Sequence, residues 1–440
     1  MTPVTLSAAR LDAGDTAWLL VATALVLLMT PGLALFYGGM VRTKSVLNML
    51  MMSFVSIALV TVVWLGAGYS LAFGDDVSAG LIGDLHHLGM AGIGPDSLTG
   101  SVPTLLFAAF QLTFAVIAAA LISGAIADRM KFAAWLVFVP VWTLLVYVPV
   151  AHWVWGPGGW ITHSLGALDF AGGLVVETAC GASGLALALV VGPRAGFKKD
   201  AMRPHNLPMV MLGAGLLWFG WLGFNGGSAL GANGLAAASI LNTLVAGSTG
   251  LLGWLFVEHR RDGHPTTFGA ASGAVAGLVA ITPACGTVDI AGGAAVGLTA
   301  GVVCSYAVGW KFRFDYDDSL DVVGVHLVGG IVGTLLIGLF ATATMTGGTE
   351  GLLHGGGLGP LARQAVAVVA VVAYTFLMTY GIGKAIDRLM GVRASAEEEL
   401  TGLDRTVHAE SAYDHGTLGH AAQQPPGLST SLSKDRSPAA

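Results

Sequence analysis

The chain has 440 residues, of which 54% are hydrophobic and 10% charged, with a formal net charge of −6 and a mean hydropathy of +0.74. An average soluble domain is roughly 25% charged. A soluble globular protein is therefore excluded and an integral membrane protein is indicated; the total charge itself says little, because its distribution between the two sides matters more, and no nucleic-acid partner is expected.

In chain order, a spanning helix needs about 20 mostly apolar residues. Residues 1–15 carry Asp12 and Asp15 ahead of the first apolar run and read as a short extracytoplasmic arm rather than a cleaved leader. Uncharged runs follow at 16–41, 45–74 and within 97–127. Residues 132–168 hold a span and a Gly/Pro/Trp-rich connection, and 170–193 a span interrupted only by Glu177. Residues 204–257 are long enough for two spans with "GANG" (231–234) as the turn. Runs near 266–282, 290–310, 322–342 and 360–387 bring the expected count to eleven. The membrane domain is thus expected over 16–391. The remainder, 392–440, reads as a polar cytoplasmic tail, partly helical near 397–414 and disordered from about 416.

The basic residues fall in alternate connections. Arg42 and Lys44, Arg129 and Lys131, the 194–203 loop, Arg260 and Arg261, and Lys311 and Arg313 alternate with loops that hold no Lys or Arg. Cytoplasmic loops carry the Lys/Arg excess, so the N-terminus is expected outside and the C-terminus in the cytoplasm. Only Arg10 and Arg363 fall on the outer side. Eleven spans fit two inverted five-helix repeats plus one extra helix. "ALDFAGGLVVE" and "SLDVVGVHLVGG" are a faint internal echo of such a repeat, each with Leu-Asp, then Gly, then an ionisable residue.

Four ionisable residues lie in or at the edge of these spans. Asp169 is either a helix N-cap or a buried polar support, and a cap can still shape a site. Asp321 follows the acidic "DYDD" cluster and reads as interface-exposed. His326 is either a neutral core histidine or a pore group. Glu177 is the hardest to explain structurally, because a carboxylate in hydrocarbon is costly and marks a functional site by default; the bland alternative is a bond to a neighbouring helix. "AFQLTFA" sets Phe110 and Phe114 on one helix face. Trp153, Trp155 and Trp160 suit an aromatic belt, or a tryptophan face that holds a cation. His86 and His87 read as a solvated pair in an outer loop. Cys180, Cys285 and Cys304 sit in apolar surroundings without metal-site spacing. No HExxH, CxxC, GxSxG or P-loop occurs, so neither a cofactor nor an enzymatic role is expected.

"PGLALFYGGMVRTKSVLNML", "AHWVWGPGG", "GALDFAGG", "PHNLPMV", "GWLGFNGGSA", "TPACG" and "DVVGVHLVGGIVG" together resemble the ammonium transporter (Amt/Mep) family over residues 30–330. The resemblance implies eleven helices in two inverted halves, a homotrimer with one pore per subunit, a plasma-membrane location and ammonium or methylammonium as substrate. It implies an outer ammonium site of Trp155, Phe114 and Ser228, supported by the buried Asp169. It implies a gate of Phe114 stacked on Phe224, and His326 as the second of two pore histidines. Glu177 departs from the pattern by standing where most bacterial members carry the first histidine, so a Glu177–His326 pair becomes the expected proton relay. A PII-type regulatory protein at the cytoplasmic mouth is a further implied partner. Two other readings compete: an ammonium sensor that conducts little, and an Rh-type passive ammonia channel. Against the sensor, no kinase or other signalling domain follows the last span. Rh proteins generally lack the Trp-based cation site, so Trp155 and Ser228 oppose the channel.

Overall fold

The computed structural model describes residues 10–413. Eleven apolar helices form one bundle: α1 Ala13–Met40, α2 Thr43–Phe73, α3 Thr104–Ile126, α4 Phe132–Trp155, α5 Gly173–Val191, α6 Leu207–Gly227, α7 Gly234–Asp262, α8 Thr267–Ile281, α9 Ile290–Phe314, α10 Val323–Phe340 and α11 Gly359–Met390. Ten are long and apolar enough to cross a membrane, and α8, at 15 residues, is the short one. The eleven expected segments are all present. The first helix starts within the expected arm, where Asp12 accepts the amide of Asp15 as its N-cap. The fourth stops at Trp155, because Gly156 leaves the helical region and the chain turns through Gly158 at positive φ. Asn233, in the expected turn, caps α7 by accepting from Leu235 and Ala236. Thr266 caps α8 by accepting from Gly269.

Helix α1 packs along α6, and α8 packs between α7 and α9. Helix α5 is the most deeply buried of the spans, and α10 packs against it. Each starts with a widened π-helical turn, Gly173–Thr178 in α5 and Val323–Leu327 in α10. They approach closely through small residues. A Cβ on Gly181 would lie 2.3 Å from the backbone N of Leu327, and one on Gly330 would lie 2.7 Å from Thr178 Oγ1. Any side chain there would force the two helices apart.

At one end of the bundle the basic connections meet the tail. Arg129 is fully buried and donates to the carbonyls of Gly192, Ala125, Ala127 and Asp317 and to Ser319 Oγ. Arg194 forks onto Asp317 at 2.9 and 2.8 Å. Burial alone would raise the Asp317 carboxyl, but the Arg194 bond and the charges of Arg129 and Arg194 outweigh it and hold it below its ordinary value. The tail carries two short helices, α12 Ala396–Thr401 and α13 Leu403–His408. Ser395 and Glu398 form a capping box on α12. Asp404 accepts the amides of Leu47 and Asn48 near the start of α2. Lys44 donates to the carbonyls of Glu399 and Leu400. The expected partial helicity near 397–414 is therefore present as two docked turns. The expected disorder from 416 lies outside the described residues.

Candidate functional site

The site runs along the bundle interior as two cavities separated by a pair of rings. The outer cavity, about 290 Å³, is lined by Trp155, Ser228, Phe114, Gln111, Phe170 and their neighbours. Trp155 comes from the last turn of α4, and its indole N–H donates to the Asp169 carbonyl at 3.1 Å. Phe114 meets it edge-on, with centroids 5.9 Å apart at 87°. Ser228 follows the last turn of α6 and donates to the Phe224 carbonyl at 2.8 Å, leaving its oxygen lone pairs available to the cavity.

Phe114 and Phe224 stack at 4.1 Å and 26° beneath this cavity. Phe110 packs edge-on to Phe114 at 4.9 Å. Phe224 also lines the inner cavity, together with Trp221, Val176, Glu177 and His326. That space is about 10 Å³, room for about one water-sized molecule. Glu177 and His326 are 1% and 3% exposed. They lie 149 residues apart in sequence, yet Glu177 Oε2 and His326 Nδ1 share a hydrogen bond of 2.7 Å.

Asp169 sits just before α5. One carboxylate oxygen accepts the amides of Gly172 and Gly173 at 2.8 and 2.7 Å; the other accepts Leu174 and Val175 at 2.7 and 3.3 Å. The first turn of a helix leaves its N–H groups without partners, and Asp169 satisfies four of them in a buried place. Gly172 makes this turn at φ +117°, where a Cβ would also press on the Trp155 ring at 3.3 Å.

A family model for the Ammonium Transporter Family matches residues 17–413. The chain belongs to the ammonium transporter family. It is 51% identical over 443 aligned residues to an ammonium transporter of Mycobacterium tuberculosis, covering 94% of this chain and 93% of that one. Among solved structures, Saccharomyces cerevisiae Mep2 superposes with a TM-score of 0.83 at 36% identity, covering 88% of this chain and 89% of that one. A structure described as a sensor Amt protein superposes at 0.82 with 29% identity, over 89% of this chain and 97% of that one. This member of the family is a multi-pass plasma membrane protein with eleven apolar helices.

Trp155, Phe114, Ser228, Phe224, Glu177 and His326 fall on the two cavities and Asp169 on their support, whereas Asp321 does not. The Leu-Asp echo aligns Asp169 with Asp321, and the structure corrects that alignment. Asp321 stands at positive φ on the rim, paired with Lys311 at 2.6 Å. The residue that caps α10 as Asp169 caps α5 is Asp318, which accepts the amides of Val322 and Val323 at 3.0 and 2.7 Å. Burial, against the pull of Lys311 and with the push of Asp321, moves its carboxyl up to about 6. Asp169 precedes Glu177 by the same eight residues as Asp318 precedes His326. That spacing was available in the sequence and is a better register than the Leu-Asp match.

Gln111 was missed altogether. It is buried on α3 one turn before Phe114, lines the outer cavity, and its amide oxygen is a buried acceptor without a partner among the described residues. A polar residue on an otherwise apolar helix face was the available signal. Trp153 donates to the Leu81 carbonyl and packs against Trp160, so these two rings anchor the outer loops rather than the cavity. His87 bonds the Ala91 carbonyl, and His86 pairs with Asp84.

Proposed function

We propose that this member of the ammonium transporter family captures ammonium in the outer cavity and passes ammonia through the pore, past the two Phe rings, into the inner cavity, with Glu177 and His326 relaying the proton. The observation that carries the reading is the order of parts: a cavity with a tryptophan face and oxygen acceptors, a stacked ring pair, then a narrow, mostly apolar cavity with a bonded carboxylate–imidazole pair. A cation is held over a Trp face by about 0.5–2 kcal/mol. Ser228 and Gln111 can accept N–H donors, which ammonium has and potassium lacks. The ring pair opposes any ion, because an uncompensated charge is far costlier to desolvate than a neutral amine. A hydrogen-bonded carboxylate and imidazole can take up and hand on a proton, so the proton has a station partway across. Uptake of labelled methylammonium by proteoliposomes, together with ammonium-driven current, tests the whole; uptake equal to that of empty liposomes overturns it.

The two ends of the route are tested by substitution. Trp155→Leu is expected to weaken ammonium capture by about 1 kcal/mol, roughly fivefold in half-saturating concentration. Phe224→Ala removes one ring of the stack and is expected to admit larger or charged solutes, read as altered selectivity between ammonium and potassium. Unchanged saturation in the first variant and unchanged selectivity in the second, both well folded, would remove the outer site and the ring gate from the reading.

A second reading, a sensor with little conduction, is favoured by the likeness to the sensor Amt structure. A saturable ligand-binding signal in a chain that yields no current would select it.

We further propose that the end bearing Arg129, Arg194 and the docked tail faces the cytoplasm. Support comes from the gathering of the basic loops there. Reporters fused after Ala394 and within 84–96 are expected on opposite sides; the same side for both contradicts the orientation. The assembly read from the resemblance is a homotrimer, with a PII-type protein at the cytoplasmic mouth. Mass measurement in detergent, and co-purification compared with a chain cut after Gly391, check these two partners.

A further inference from the structure

We infer that a buried side-chain cluster at the edge of the inner cavity also binds a soft monovalent metal ion, copper(I) or its congener silver(I). The ligands are Cys180 Sγ, the Glu177 carboxylate and a His326 ring nitrogen. One ligand atom from each lies within 4.8 Å of the others, and all three residues are buried. Among the described residues this is the only group of three or more His, Cys, Asp or Glu brought so close together. The three arrive from both halves of the fold. Glu177 and Cys180 are three residues apart, on neighbouring turns at the start of α5, and His326 enters from α10. The thioether of Met29 lines the same cavity.

The donor set narrows the choice to soft and borderline ions. Thiolate and imidazole suit copper(I), silver(I) and zinc, and a thioether favours the first two, whereas magnesium and calcium need several oxygens. Three donors at bonds of about 2.0–2.3 Å stand roughly 3.5–4 Å apart, so side-chain shifts of about an ångström close the site. Charge selects among these ions. A singly charged ion loses about a quarter of the hydration that a divalent ion of equal size loses on burial, by the square law of Born solvation. It is also the charge for which the outer cavity is suited. On binding, the Cys180 thiol gives its proton to bulk water as the metal–sulfur bond forms, and the proton shared by Glu177 and His326 also leaves to bulk water as their oxygen and nitrogen turn to the ion, so two protons are released per ion bound. No oxidant or reductant is needed. The other two cysteines have no such company: Cys285 Sγ faces the Thr282 carbonyl at 3.5 Å and Cys304 Sγ the Val325 carbonyl at 4.0 Å. Cys180 as an ordinary buried thiol would account for its contact with the Glu177 carbonyl at 3.3 Å, but not for an imidazole and a carboxylate beside it.

That the ion reaches this cavity and blocks it rests on the conduit reading above; the binding site itself does not. The test uses silver nitrate in chloride-free buffer, with the full chain carrying Cys285→Ala and Cys304→Ala so that Cys180 is the remaining thiol. Calorimetry and native mass spectrometry in detergent are expected to find one silver ion per chain. Cys180→Ala is expected to abolish that binding, and Glu177→Gln to weaken it about tenfold or more. In proteoliposomes, silver is expected to stop methylammonium uptake, and Cys180→Ala to transport normally and resist silver. Binding that survives Cys180→Ala unchanged overturns the site. Binding at Cys180 that ignores Glu177→Gln and His326→Ala reduces it to a lone thiol and also overturns it. A bound ion with undiminished uptake leaves the metal site standing and overturns the conduit instead.

Discussion

Glu177→Gln is expected to cut ammonium-driven current on the order of a hundredfold, the scale at which a positioned proton carrier contributes. The amide keeps the size of the carboxylate and can still bond His326, which faces it at 2.7 Å, so folding should be spared. What it loses is the ability to take and release a proton. Glu177→His restores two adjacent imidazoles and is expected to keep transport with a shifted pH profile. The comparison separates the relay from a helix-linking role, because both substitutions preserve a polar contact and only one preserves titration. Full current from the Gln variant, with the pH dependence of the unaltered chain, would make Glu177 a structural group.

Asp169→Ala is expected to destabilise the fold by about 4 kcal/mol or more, since each buried donor left without a partner costs about 1–3 kcal/mol and four amides lose theirs together. The same turn fixes the carbonyl that holds the Trp155 indole. The outer cavity should therefore loosen even in molecules that remain folded. Asp169→Asn keeps one carbonyl oxygen and should fall between the two. Asp318→Ala removes an acceptor for two amides on α10 and should cost less than Asp169→Ala. Thermal unfolding in detergent reads the ranking directly. A midpoint for Asp169→Ala equal to that of the unaltered chain would show that water or a rearranged turn replaces the carboxylate.

Helix count, helix boundaries and side-to-side charge pattern were legible because they are local. Hydrocarbon forces every spanning segment to be apolar over about 20 residues, and that demand is met within each segment. The caps at Asn233 and Thr266 were equally local. Glu177 could be marked as functional from its neighbours alone, because its cost in lipid does not depend on what it meets. Its partner could be named only through the family resemblance. The internal echo relates residue 177 to 326 only as equivalents in two halves, not as neighbours; their contact exists because Gly181 and Gly330 let α5 and α10 cross at van der Waals distance. The same crossing draws Cys180 into the group, and cysteine spacing gave no hint of it. The pairing of Asp318 with Asp169 was likewise decided by which amides each carboxylate reaches, not by the residues printed beside it. Gln111 gains its meaning only where α3 turns it toward Trp155 and Ser228. The sequence by itself determined a membrane protein of eleven apolar segments with one misplaced charge. Tertiary structure decided which distant side chains share a cavity, because that depends on how closely two backbones pack, and close packing is a property of pairs of helices.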